Sequence, residues 1–318
     1  MTMERQCSAT IKGILMLLII LGHNHILCPT DESALMGYLY EFHVICFFIL
    51  PCFYETKGTM TRSNVTDVVV RTWIPYFWLV LMCYMAKCAY DYDVNFSVRH
   101  IQAFITADKS SLKQFFGFVM PWYLPTFCSF SLLLAYARKY KIVYAGALLW
   151  GVMNLCLPWN EFFFERQVVP YGLALAVVYF TVAVATEWIY KIGEWTKCLG
   201  LVGFIVLSIL YWRQVDMGYC SLLFPVFAFF AIWFIAPFIG NFVFRLLGKY
   251  SLGIYVVHLF VSRIIEMAVP HTFLWGIVDL VLTTGISTGI VVAIYRVEWL
   301  RIWLFPRSMS EIRQLFQR

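Results

Sequence analysis

Stretches of about 20 mostly apolar residues, the length a helix needs to cross a hydrocarbon core, recur along almost the whole chain. Ten can be placed, near residues 10 to 27, 36 to 54, 68 to 88, 121 to 137, 142 to 157, 168 to 190, 198 to 212, 219 to 239, 250 to 269 and 272 to 296. The pattern predicts an all-α polytopic transmembrane helix bundle of about ten spans. Two stretches break it. Between Asp91 and Met120, charges alternate with aromatics such as Phe104, Phe115 and Phe116, which reads as an interfacial or re-entrant segment on the outer face. After Arg296, Arg301, Arg307, Arg313 and Arg318 lie among Trp303, Leu304, Phe305, Leu315 and Phe316. Residues 297–318 therefore form an amphipathic basic tail expected on the inner leaflet, following a transmembrane domain at 1–296. The first apolar run is broken by histidines and lacks a small-residue cleavage site, so it is expected to stay as the first span. No internal repeat is visible.

Composition agrees with lipid as the main solvent. Of the 318 residues, 62% are hydrophobic and 13% charged, against about 25% charged in soluble domains. The 10 cysteines include no CxxC pair, and Cys46, Cys52, Cys83, Cys128 and Cys156 lie in apolar runs as expected of reduced, buried thiols. The net charge of +6 comes without long basic runs, so nucleic acid is not an expected partner.

The distribution of that charge predicts an orientation, because cytoplasmic connections carry the excess of Lys and Arg. With the N-terminus inside, sixteen of the 24 basic residues are cytoplasmic, including Arg5, Lys57, Arg62, Arg71, Arg138, Lys191, Arg245, Lys249 and the tail arginines through Arg318. Five face outward, namely Arg99, Lys109, Lys113, Arg166 and Arg213. Both termini are thus expected in the cytoplasm.

Ionisable groups inside spans cost at least about 2.5 kcal/mol and are candidate functional groups by default. Lys12 and His23 share the first span, about 16 Å apart along its axis and close to the same face. In the ninth span Ser251, Tyr255 and His258 fall at four- and three-residue steps, so they line one face. By helical rise His258 lies at the depth of His23, which predicts one cavity, although such a stripe also serves as interhelical glue. Glu41 and His43 enter the second span from outside. Glu41 either orients and charge-balances an imidazole or pairs with Arg263. Arg71, near the inner end of its span, is placed for phosphates or is a plain positive-inside anchor.

The chain resembles integral membrane acyltransferase family 3 over nearly its whole length. The resemblance rests on the Lys12 to Gly22-His23 pattern, a basic residue followed after ten residues by histidine, with Lys where Arg is commoner. It also rests on Phe42-His43-Val44 with Phe47-Phe48, Arg71 to Pro75-Tyr76, Pro121-Trp122-Tyr123-Leu124, and Gly248-Lys249-Tyr250-Ser251-Leu252-Gly253-Ile254-Tyr255 to His258. Two departures stand out: Ala9 where members often carry Asp, and Leu50-Pro51-Cys52 in place of a common Ser-Gly. Part of that region is similar to members acting on fucose or other sugars.

The resemblance implies transfer of an acyl group, most often acetyl, from acetyl-CoA or another acyl-CoA to a hydroxyl of a cell-surface glycan or its lipid-linked precursor, in the cytoplasmic membrane. On that reading Lys12 and Arg71 attract the anionic donor, with Ser251 beside them. His23 takes the acceptor proton, with Glu41, Tyr255 and His258 completing the catalytic group. Ser251 and Tyr255 offer donors to the oxyanion. Trp122, Tyr123 and His43 contact the sugar, unless the two aromatics at 122 and 123 are plain interfacial belt residues, and no metal is called for. The rival class is a transporter or flippase, which the missing repeat and the lack of paired discontinuous spans argue against. An interaction or sensing protein is disfavoured by retention of Lys12, His23 and the Ser251 to His258 segment.

Overall fold

A computed structural model describes residues 3–29, 33–53, 62–91, 94–156 and 171–317. Lys57, Arg166 and Arg318, used above for orientation, lie outside the described residues, as do the ends of the predicted spans at 54, 157 and 168–170. The described residues are overwhelmingly helical. Seven helical segments are long and apolar enough to cross a membrane. The other predicted spans are α7 (Tyr123–Lys139), α8 (Lys141–Cys156) and α10 (Thr196–Trp212), helices of 17, 16 and 17 residues. At 1.5 Å per residue they reach about 25 Å, just under the usual hydrocarbon thickness.

The chain divides into two compact units, Met1–Glu55 with Val182–Arg296, and Thr56–Thr181 with Val297–Arg318. The division falls within α9 (Tyr171–Tyr190). The second unit contains α4 (Arg62–Asp91), α5 (Val98–Thr106), α6 (Lys109–Phe116), α7 and α8. The tail belongs to it as α15 (Glu298–Leu304) and α16 (Met309–Gln317). It is fastened to α4 by the Trp78 indole N–H to the Trp303 carbonyl, 2.9 Å, and by the Met309 N–H to Asp67, 2.8 Å. Arg301 and Glu311 pair at 2.9 Å within it.

The first unit is built from α1 (Arg5–Gly22), α2 (Ala34–Tyr40), α3 (His43–Ile49), α10, α11 (Phe224–Ile239), α12 (Phe242–Lys249), α13 (Ser251–Ala268) and α14 (Phe273–Arg296). Close crossings between helices organise it, as in membrane bundles where small residues admit a neighbour's backbone. A Cβ on Gly13 would lie 2.0 Å from the Phe244 carbonyl oxygen, and one on Gly248 only 1.8 Å from that of Ala9. The α1–α12 contact thus requires glycine on both partners.

The second predicted span is a single apolar stretch, Ala34–Phe53, but not a single helix. Backbone helicity breaks at Glu41 and Phe42, where Phe42 takes φ −141°. No proline or glycine stands at the break, so nothing in the hydropathy signals it. The second predicted span is thus discontinuous.

Candidate functional site

The site begins where α1 stops. The His23 N–H still bonds to the Ile19 and Ile20 carbonyls at 3.1 and 3.2 Å, making His23 the C-cap. Asn24 then turns the chain. It is 1% exposed, and its carboxamide oxygen accepts the N–H groups of Ile26 and Leu27 at 3.1 and 2.8 Å, a local side-chain turn of the kind Asn favours. Its amide NH2 donates to the Gly276 carbonyl of α14 at 2.8 Å. The next residue donates its backbone N–H to Glu266 of α13 at 2.8 Å. The two residues after His23 are therefore each tied to one of the helices α13 and α14.

The break in the second span supplies another imidazole. Ser33 caps α2 by accepting the Met36 N–H. Interrupting a helix leaves backbone carbonyls without their i+4 donors, and His43, the first residue of α3, answers one by donating Nδ1–H to the Leu39 carbonyl. His43 is 1% exposed, and Tyr40 packs edge-on to its ring with centroids 4.9 Å apart.

On α13 the Nδ1 of His258 lies 3.1 and 2.9 Å from the carbonyl oxygens of Ile254 and Tyr255. Two acceptors oblige Nδ1 to carry the proton, so in the neutral ring Nε2 holds a lone pair. That atom is buried and has no hydrogen-bond partner among the described residues. A buried polar atom in this condition costs roughly 1–3 kcal/mol and calls for a functional reason. The His258 ring stands 5.5 Å from that of His23, tilted by 43°. Tyr255 is 6.1 Å from His258, and Tyr40 is 6.4 Å from His23. Two residues predicted from separate spans to share one depth therefore meet, with His43 also in electrostatic reach of His23.

The remaining candidates take varied places. Lys12 is half-buried on α1, and Ser251 is the first residue of α13. Each follows the Ala9–Gly248 contact by three residues, so both sit at one end of the unit, away from the imidazoles. Groups in electrostatic reach of His23 are His258, His43, His25 and Arg263, whereas Glu41 acts on Tyr211. The alternative pairing of Glu41 with Arg263 gives way to Arg263 with Glu266 at 3.0 Å. Three candidates belong to the second unit. Arg71 is exposed on α4, Tyr123 stacks on Phe127 at 5.7 Å, and Trp122 is 6% exposed with the Lys109 ammonium 4.7 Å above its ring.

Sequence reasoning passed over Asn24, Ser262, Glu266 and Asp279. Glu266 is 6% exposed and Asp279 fully buried, and the Ser262 hydroxyl lies within 3.3 and 3.4 Å of the two carboxylates. Thr283 donates to Asp279 at 2.8 Å. A signal existed, since Ser262 and Glu266 prolong the Ser251, Tyr255, His258 stripe, and Asp279 is a lone acid in a span.

A family model described as an acyltransferase domain, that of acyltransferase family 3, matches residues 9–296. No curated protein and no solved structure matches the chain.

Proposed function

The chain belongs to the integral membrane acyltransferases of family 3 and is a multi-pass membrane protein, and from that premise we propose that it moves an acyl group, acetyl first among them, from acyl-CoA to a hydroxyl of a cell-surface glycan or its lipid-linked precursor. The observation that carries the assignment is the buried, unpartnered Nε2 of His258 beside the His23 ring.

With both termini in the cytoplasm, Lys12 and Ser251 lie at the end of the first unit that meets the acyl-CoA pool, and the lysine attracts the donor's phosphates. His23 takes the proton of the acceptor hydroxyl as its oxygen attacks the thioester carbonyl. Such general-base assistance contributes about 10²- to 10⁴-fold. His258, whose fixed tautomer leaves Nε2 able only to accept, holds the other ring N–H of His23, which keeps the basic nitrogen turned to the acceptor and steadies the imidazolium once it forms. Tyr255 donates to the tetrahedral oxyanion. As the C–S bond breaks, the proton held on His23 passes to the departing thiolate, so the new ester and free thiol balance the reaction.

The test is mass spectrometry of surface glycans from cells carrying the wild type, His23→Ala or His258→Ala, with membrane levels matched by immunoblot. Acyl increments are expected with the wild type, none with His23→Ala, and about a tenth or less of the wild-type amount with His258→Ala. Full acylation by His23→Ala overturns the mechanism, and bare glycans with the wild type overturn the activity.

A further inference from the structure

The first unit holds a second site-like feature. Where α10 ends and the chain turns toward the 3-10 helix Gly218–Leu223, an open cleft of about 550 Å³ is lined by Tyr211, Trp212, Gln214, Asp216 and Ser221. This volume falls in the range of small-molecule sites. The turn is strained: Gln214 has φ 55°, one of two non-glycine residues with positive φ among those described. Such a conformation costs roughly 1–3 kcal/mol and gathers at ligand clamps. Asp216 steadies the turn by accepting the Gly218 N–H at 2.9 Å, with its second carboxylate oxygen left over from that bond. Flat aromatic faces beside an amide, a carboxylate and a hydroxyl are the chemistry that recognises a pyranose, apolar on its C–H face and polar at its edge.

Trp212 also borders a neighbouring cleft of about 560 Å³, walled by Phe204, Ile205 and Ile209 and ending at Arg213. Its wall continues along α10 as an exposed apolar stripe through Leu199 and Val202. A sugar-like cleft, a cation and an apolar groove thus lie in series around one indole.

We propose that this series binds the acceptor, and that the acceptor is a saccharide joined through phosphate to a lipid chain. The sugar lies against Tyr211 and Trp212, the phosphate meets Arg213, and the lipid follows the groove of α10. The inference rests on the acyltransferase reading and narrows its substrate class. It also predicts which part of the acceptor is held. Tyr38 packs on Tyr211 and Trp212 at 5.4 and 5.5 Å, while Tyr40, two residues on, packs on His23. Two residues turn a helix by about 200°, so α2 stands between cleft and imidazoles. The cleft therefore holds the sugar nearest the lipid, and the acylated hydroxyl lies further along the saccharide.

The test uses the full chain in its own cell, with the native copy replaced by wild type, Trp212→Ala, Arg213→Ala or Asp216→Asn. The lipid-extractable saccharide pool and the finished glycan are analysed separately by mass spectrometry. Acetyl-CoA binding is measured on each purified protein. Acyl groups are expected already on the lipid-linked pool, falling about tenfold in Trp212→Ala and Arg213→Ala. Acetyl-CoA affinity should stay within about twofold of wild type in all variants. Asp216→Asn alters no packing and should lower acylation in the same sense. An acylated finished glycan over a bare lipid-linked pool overturns this proposal and leaves the acyltransferase reading intact. So do variants with wild-type acylation, or variants that lose acetyl-CoA binding in parallel. A wild type that acylates neither pool overturns both.

Discussion

Replacing Asn24 by Ala removes the side chain that ends α1 and so tests how His23 is held. Three hydrogen bonds go with it: one buried, to the Gly276 carbonyl at 2.8 Å, and two part-buried, from the N–H groups of Ile26 and Leu27. The Gly276 carbonyl keeps its own i+4 donor within α14, so losing the Asn24 bond there costs about 1 kcal/mol. The part-buried N–H groups of Ile26 and Leu27, which recover some of their loss through water, cost about 1 kcal/mol each, so the sum is roughly 3 kcal/mol. In a chain of this length that lowers the melting temperature of the detergent-solubilised protein by about 5 °C. The functional effect should be larger than the stability effect. The Asn24 bond to Gly276 fixes the turn that sets the His23 ring 5.5 Å from His258, and a displacement of about 1 Å at a reacting group costs about 100-fold. Differential scanning fluorimetry and acyl transfer, measured at a temperature where the variant is fully folded, separate the two effects. Asn24→Ala with wild-type melting and wild-type transfer would refute the reasoning. A melting loss with unchanged transfer would confine Asn24 to stability.

Three further outcomes follow from the packing and the charges. Gly13→Ala and Gly248→Ala set a methyl against backbone oxygens at 2.0 and 1.8 Å, so each should destabilise by at least about 1–3 kcal/mol and lower the level of folded protein in the membrane, read by fluorescence-detected size exclusion. Gly285→Ala, with nothing within 4 Å of the new methyl on an exposed face of α14, should instead be neutral or raise stability by about 0.5–1 kcal/mol. The Glu311 carboxyl is depressed below its ordinary value: burial raises it, but hydrogen bonds from Arg301 and the Arg307 N–H and the nearby positive charges outweigh that. Its folded value is the lower one, so the stabilisation is complete above the ordinary glutamate range and is lost as pH falls through the folded value. Hydrogen exchange in residues 297–317, corrected for intrinsic rate, should rise on acidification below about pH 4, and Glu311→Gln should exchange fast already at neutral pH.

The amino-acid sequence by itself determined the helical class, the membrane setting and the two polar faces. These are local properties: a run of apolar residues cannot be solvated by water, and the spacing of Lys12 with His23, or of Ser251 with Tyr255 and His258, maps onto one side of a helix whatever that helix packs against. Tertiary structure decided the rest. Hydropathy averages over a window, so it reads Ala34–Phe53 as one span, whereas the break at Phe42 depends on His43 reaching the Leu39 carbonyl and on rings from other helices packing around it. Glu41 carried equal sequence claims on an imidazole and on Arg263; the fold sets it by Tyr211 and gives Arg263 to Glu266. Asn24 and Glu266 were silent because their partners lie some 250 and 240 residues away along the chain, and only the packing of α1 against α13 and α14 brings them within hydrogen-bonding distance.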